Sequence, residues 1–395
     1  MFSERTAWNR AENELTRMLD KLRATGTRIL DLTRSNPTEC GFAQDETKIA
    51  SAFAGSGISR YSPDAKGLIV ARTAICSYYR DKHRVFLSSD DLLLTSGTSE
   101  AYSFLFRLLC NPGDEILIPA PGYPLFDFLA DLCDVKLVRL PLIYDHGWQI
   151  DLTELTRRAT ERTRALIVVH PNNPTGHYVS ARERDRLAVF CSDRGMALIA
   201  DEVFLDFSLR DRECAKSFAD SRNVLTFTLS GLSKICGMPQ MKLAWIVVSG
   251  PEVQKSEAMA RLEVIADAYL SVGTPVQLAA PALLQMRGEF HSQLIERVRA
   301  NLAELDRQLA WQSNCTRLEC EAGWTAVLRI PALETDEELA IALLNESGVY
   351  VHPGHFYDFA RPGHMVISLI VPPEDFAEGT RRVLAHFAKF ATDRW

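Results

Sequence analysis

Apolar positions along this chain follow two alternating patterns. Between about residues 65 and 250, unbroken apolar runs recur: "DLLLT", "DEILIPA", "VKLVRLPL", "RALIVV", "MALIAD", "NVLTFTLSG" and "LAWIVVSG". Between them lie stretches whose apolar residues return every three or four positions, such as "GLIVARTAICSYYRDK", "SEAYSFLFRLL" and "ARERDRLAVFCSDRG". Runs without a polar face predict strands buried on both sides, and the intervening period predicts helices. Strand and helix in alternation predict a mostly parallel sheet covered by helices, and seven runs predict seven strands. In such sheets ligands sit beyond the carboxyl ends of the strands.

Residues 5–24 have the spacing of an amphipathic helix. Leu294, Val298, Leu302, Leu305 and Leu309 fall on one face of a long helix in "FHSQLIERVRANLAELDRQLAW". Beyond it, "GWTAVLRIP", "DEELAIALLNESGVYVHPG" and "HMVISLIVPPEDF" predict a smaller α+β domain. The expected division is an N-terminal arm and part of the small domain over 1–46, a large domain over 47–290 and a C-terminal small domain over 291–395.

Composition narrows the function classes. A chain of 395 residues exceeds what one core usually serves. A net charge of −7 argues against nucleic acid as the main partner. The nine cysteines, Cys214 among them, are scattered singly with no CxxC pair, so reduced thiols are expected rather than disulfides or a zinc site. The charged N-terminus lacks the apolar core of a signal peptide. No run approaches the roughly 20 apolar residues that span a bilayer. A cytoplasmic protein without membrane contact is expected. His352 and His355 in "VHPGH" have the spacing of a metal pair, but no other ligand cluster accompanies them; a turn at a strand end is expected, and no metal.

The chemically suggestive residues fall at strand ends. In "TSGTSEAY", Gly97, Thr98 and Ser99 open a helix after a strand, where free N–H groups suit either an anion or simple capping. In "HPNNPTG", Asn173 follows a strand in what could be an ordinary turn. Asp201 ends "MALIAD", where a buried carboxylate needs a partner. Lys234 follows "TFTLSGLS", near Ser230, in a small polar setting where a lysine can lose its proton and form a Schiff base. Lys242 comes eight residues later.

In this order, SGT, NNPTG, DE and SxxSK resemble the fold-type I pyridoxal-phosphate-dependent aminotransferases of class I/II, from about residue 30 to the C-terminus. The resemblance implies pyridoxal 5'-phosphate held by a Schiff base to Lys234, which then moves the proton at the substrate α-carbon. It implies Asp201 on the pyridinium nitrogen, Asn173 on the ring hydroxyl and the substrate carboxylate, and Tyr123 of "PAPGYP" stacked on the ring. Gly97, Thr98, Ser99, Ser230 and Lys242 match the phosphate cup. Tyr61 of "RYSPDAKG" matches a tyrosine that reaches the phosphate of the neighbouring subunit, which implies a homodimer with shared active sites. The substrates implied are an α-amino acid and an α-keto acid.

Three positions depart from that pattern. Lys242 stands where arginine is usual, keeping the charge without the planar fork. Phe204 stands in place of a tyrosine that donates to the ring hydroxyl, so the Schiff base should stay protonated to higher pH. Val366 occupies the place of the arginine that clamps the substrate carboxylate. Arg34 and Arg361 are the candidate replacements, though each also fits an ordinary surface arginine, and Ser35 lies in a segment that lines the substrate site in the family. The neutral Val366 leans towards a neutral or hydrophobic substrate side chain. A β-eliminating C–S lyase would use the same lysine and aspartate. An effector-binding module of a transcription regulator would need a DNA-binding domain, and the roughly 30 preceding residues do not form one.

Overall fold

Every apolar run becomes a strand. In the computed structural model, which describes residues 1–55, 57–210 and 215–392 and so leaves Cys214 outside, a two-residue strand β1 (Leu30–Asp31) comes first. It is followed by β2 (Leu92–Thr95), β3 (Glu115–Ala120), β4 (Lys136–Tyr144), β5 (Trp148–Ile150), β6 (Thr163–Val169), β7 (Ala197–Asp201), β8 (Thr226–Gly231) and β9 (Ala244–Ser249). The C-terminal part adds β10 (Thr316–Arg317), β11 (Thr325–Arg329), β12 (Val349–Tyr350), β13 (His352–Pro353) and β14 (His364–Ser368).

The large sheet has the order β2-β9-β8-β7-β6-β3-β4-β5. The five strands β8, β7, β6, β3 and β4 are parallel. Strand β9 runs antiparallel to both its neighbours. An eighth strand joins the expected seven: β5 pairs antiparallel with β4, across a turn in which Asp145 N–H donates to Gly147 O at 2.9 Å. Three residues are too few for a period to show, which is why this strand is absent from the sequence pattern.

The two faces of the sheet are covered by different helices. Ile116, Ile118, Ile167, Ile199, Phe227 and Ile246 pack with residues of the helices Thr98–Leu109 and Glu252–Asp267. Their neighbours turn the other way: Leu94, Trp245 and Val247 pack with helices Ile69–Tyr78 and Thr274–Gln285, and Leu117, Leu166 and Leu198 with Ala181–Asp193. The sheet is thus apolar on both sides, as unbroken apolar runs require.

The smaller lobe holds the antiparallel sheet β10-β11-β14-β13 and the parallel pair β1-β12. Leu15, Leu19, Leu30 and Leu32 share one core with Leu294, Val298, Leu305, Leu328, Ile367 and Phe376. The N-terminal arm therefore packs with the C-terminal residues.

Two helices differ from expectation. The first starts at Glu14 rather than residue 5, because the Asn13 side chain accepts from Thr16 N–H and caps it there. The residues before it run along the large lobe instead: Arg5 pairs with Asp134, and Trp8 donates to Asp131 at 2.8 Å and lies edge-on to Phe128. The long helix spans Arg287–Leu309, with Leu294, Val298 and Leu305 buried as predicted, but Leu302 and Leu309 are only partly buried. Asn301 is buried beside them and donates to Leu369 O at 2.9 Å and Val371 O at 2.8 Å, just past β14. A period of apolar residues cannot announce such a contact.

Asn301→Leu would leave two buried carbonyls without this donor, each costing about 1–3 kcal/mol. We expect a loss of at least about 2 kcal/mol in urea unfolding, and an unchanged midpoint would show that these carbonyls need no partner.

Candidate active site

The ends of β2, β3, β6, β7 and β8 lie along one edge of the large sheet. The start of β9 joins them because that strand runs the opposite way. Gly97 caps the 12-residue helix Thr98–Leu109. Lys242 precedes β9 in a left-handed conformation, φ 50°. Its Nζ lies 3.6 Å from where a Cβ on Gly97 would sit. Ser230, in β8, has a buried hydroxyl without a hydrogen-bond partner among the described residues. Helix-start N–H groups, an ammonium and an unanswered hydroxyl are the kinds of group that suit an anion.

Asp201 ends β7 almost fully buried. Its Oδ2 accepts from Tyr102 Oη at 2.9 Å, and its Oδ1 accepts from Val203 N–H at 3.1 Å. Burial raises its pKa above the ordinary carboxylate value, against the pull of these bonds and of Lys234. Lys234 sits in the one-turn helix Leu232–Ile235 that follows β8 directly. Burial lowers its amine below lysine's usual value, while Asp201 pulls it up. Its Nζ lies 5.5 Å from the ring centre of Phe204 and 4.9 Å from that of Trp324.

The structure thus brings Lys234, Asp201 and Phe204 to one place. Tyr123 is half-buried and within the electrostatic reach of Asp201. The two asparagines of NNPTG divide: Asn172 is fixed to Pro121 O and Thr175 Oγ1, whereas Asn173 is half-buried and makes no side-chain hydrogen bond among the described residues. Other expected residues have different settings. Arg34 is tied to Asp375 at 2.8 Å, Ser35 and Arg361 are exposed, and Tyr61 is 78% exposed. Val366 is buried in β14. His352 and His355 flank the strand–turn junction at Pro353–Gly354, as expected of a turn. No group of three or more potential metal ligands occurs among the described residues, and no described helix is long and apolar enough to cross a membrane.

Two contributors escaped the sequence reading. Tyr102 lies four residues after Thr98 on the same helix, so the helix that opens at Gly97 also aims a hydroxyl at Asp201. Trp324, from the small lobe, is buried, its indole N–H without a partner among the described residues, and it covers the lysine. Only a contact between lobes reveals it.

Pyridoxal phosphate fits this donor set. It presents a phosphate, a basic ring nitrogen and an aldehyde carbon. The edge offers an anion seat with a free hydroxyl, a buried carboxylate with a raised pKa, and an amine with a lowered one.

The loop carrying Asn173 is held against the small lobe. Pro174 O accepts from Thr325 Oγ1 at 2.8 Å. Gly176 adopts φ 70°, and a Cβ there would collide with Ala322 O and lie 2.5 Å from Cys320 Sγ, so glycine is required. His177 lies between Glu183 at 3.5 Å and Glu321 at 3.3 Å, on opposite lobes. Burial works to lower the His177 pKa, but the two carboxylates outweigh it and the net shift is upward. Burial likewise works to raise Glu183, yet His177 and the Ile150 N–H bring it to about 2.

Residues 34–383 match the family model of aminotransferase class I and II. Alanine aminotransferase of Mycobacterium tuberculosis (strain ATCC 25618 / H37Rv) is 26% identical over 374 residues, covering 92% of this chain and 86% of that protein. Glutamate-pyruvate aminotransferase AlaA of Escherichia coli (strain K12) is 26% identical over 385 residues, covering 94% and 92%. Alanine aminotransferase from Pyrococcus furiosus superposes with a TM-score of 0.88 over 100% of both chains at 24% identity, a likeness of fold.

The raised pKa of His177 makes a pH prediction. A folded pKa above the unfolded value of about 6.5 gives stability that is complete below that value and is lost as pH rises through the folded pKa. His177→Gln should therefore cost more stability near pH 6 than near pH 9 in denaturant unfolding. Equal costs at both would exclude the ion pairs as the source.

Proposed function

Since this chain belongs to the aminotransferase class I and II family and is a pyridoxal-phosphate-dependent transaminase, we propose that it exchanges the amino group between L-alanine and 2-oxoglutarate by a ping-pong route. The observation that carries the reading is the placement of Lys234 just past β8 near Asp201 at the end of the neighbouring β7, one amine and one carboxylate shifted towards neutrality by burial. The names of the relatives support alanine, and the uncharged Val366 is in keeping with a small neutral side chain. Each relative named above is an aminotransferase, which weighs for transamination and against the β-eliminating alternative.

When bound, the cofactor supplies an electron sink for the pair released at the substrate α-carbon. Lys234 would anchor it covalently. Once freed by substrate, the same ε-amine would take the α-proton and return it to the cofactor's side, a task suited to a lysine with a lowered pKa. Asp201 would hold a proton on the ring nitrogen, and Tyr102 would fix the carboxylate's direction. Gly97, Thr98 and Ser99 N–H groups, Ser230 Oγ and Lys242 Nζ would hold the phosphate. Tyr123 would form a flat wall against the ring. Asn173, with its side chain uncommitted, would donate to the ring hydroxyl and to the substrate. Phe204 and Trp324 would keep water from the lysine.

We further propose a homodimer. Tyr61 is exposed beside a pocket that also involves Leu270, and Ile69 and Val70 are exposed at the start of their helix. Exposed apolar groups of this kind mark association surfaces. In the dimer Tyr61 would reach the partner's phosphate seat.

Two measurements test this reading. Mixed singly with the holoprotein, L-alanine and L-glutamate should discharge the pyridoxal absorbance, and pyruvate or 2-oxoglutarate should restore it. Lys234→Ala should slow this by about 10²- to 10⁴-fold, the usual contribution of a positioned acid–base group. Release of pyruvate and ammonia with no acceptor present would instead favour elimination. Separately, Phe204→Tyr should move the pH titration of the bound cofactor's absorbance to lower pH, since a restored donor favours the deprotonated form. An unmoved titration would deny Phe204 that influence.

A further inference from the structure

An α-amino acid brings a carboxylate into the site, while Arg34 and Arg297 are engaged elsewhere. Arg34 is committed to Asp375, Arg361 is exposed, and Arg297 donates to the carbonyls of Cys40 at 3.1 Å and Ile370 at 3.3 Å. A neutral donor can serve where it is oriented and its second partner is absent. One histidine satisfies both conditions.

His352 pairs directly with Val366 across β13 and β14. Directly opposed residues of an antiparallel pair carry their side chains on one face, about 5 Å apart. A group at position 352 therefore serves the same patch of surface as one at position 366. Val366 packs there with Val327 and Tyr357. The His352 Nδ1 lies 3.1 Å from Tyr357 Oη, and Tyr357 O accepts from Gly122 N–H at 2.9 Å. Gly122 precedes Tyr123, which is near enough to Asp201 and to Tyr357 to be coupled electrostatically with each. The face bearing His352 is in this way fastened to the loop beside the Lys234–Asp201 centre. With Nδ1 engaged by the tyrosine, Nε2 is left with no hydrogen-bond partner among the described residues.

We propose that His352 is the substrate-carboxylate-binding residue of this enzyme, donating from Nε2, and that Tyr357 is the positioning residue that fixes its ring. The arrangement replaces a charged two-pronged contact with one neutral hydrogen bond to a carboxylate. It rests on the reading that the substrate is an α-amino acid, but it does not depend on which one. In this arrangement the tyrosine's hydroxyl would donate to Nδ1, which would leave the ring proton on Nε2. Burial lowers the His352 pKa, in keeping with a neutral ring.

The test is calorimetric titration of the pyridoxal-phosphate-loaded protein with propionate and with propionamide, which differ in the carboxylate alone. Neither has an amino group, so the measurement needs no turnover and separates this contact from the identity of the amino donor. The wild type should bind propionate at least about tenfold more tightly than propionamide, the strength of one hydrogen bond to a charged group. His352→Ala should bring the two ligands within about twofold, Tyr357→Phe should lose part of the difference, and His352→Gln, which keeps an N–H donor, should retain more than His352→Ala. The idea is overturned if the wild type does not distinguish the ligands, or if His352→Ala distinguishes them as the wild type does. It is equally overturned if Arg297→Lys or Trp324→Phe abolishes the difference and His352→Ala does not. Should His352→Ala fail to fold, the Tyr357→Phe and His352→Gln titrations decide by the same criterion.

Discussion

A carboxylate at the end of β7 lies where water scarcely reaches, held by one tyrosine hydroxyl and one backbone N–H. Burial makes ionisation of Asp201 costly, so the charged form needs a cation or a strong donor opposite it. Lys234, at the end of the neighbouring strand, supplies part of that field, and is itself pushed towards neutrality by the same dry surroundings. Neither group is at rest alone. The parallel sheet keeps both in register, since β7 and β8 pair residue for residue up to Asp201 and Leu229. The apolar runs on either side are what keep the edge dry.

This dependence explains which parts of the protein were legible in the sequence. Runs such as "MALIAD" and "TFTLSG" announce both the strand and the polar group at its end, because a sheet covered on both faces admits few polar residues elsewhere. The helix caps were less legible: residues 5–13 carry a helical apolar spacing, but Asn13 starts the helix, and Trp8 is drawn to Phe128 instead. The strand Trp148–Ile150 is too short to have a period. Trp324 and Tyr357 come from the other lobe, and their approach to the site depends on packing between segments far apart in sequence. His352 shows the same limit. Its spacing to His355 fitted a metal pair or a turn, while its pairing with Val366 is visible only once the strands are in register.

The small lobe does more than close the site. Gly176, Pro174 and His177 fasten the asparagine loop to β11 and the residues before it, through backbone contacts and through a histidine shared by two carboxylates. The hydroxyl of Thr325 and the indole of Trp324 are neighbours in sequence, so one short segment both locks the loop and shields the lysine. A shift of that segment would change the setting of Asn173 and of Lys234 together.

The reversed direction of β9 has a consequence for how the centre assembles. Lys234 and Lys242 stand eight residues apart because the chain turns back immediately after β8. Closing so short a loop costs little chain entropy. The aspartate and its tyrosine, by contrast, are separated by 99 residues. The two lysines thus form a local unit of the nascent fold, whereas the acid near Lys234 is completed only when distant strands have met.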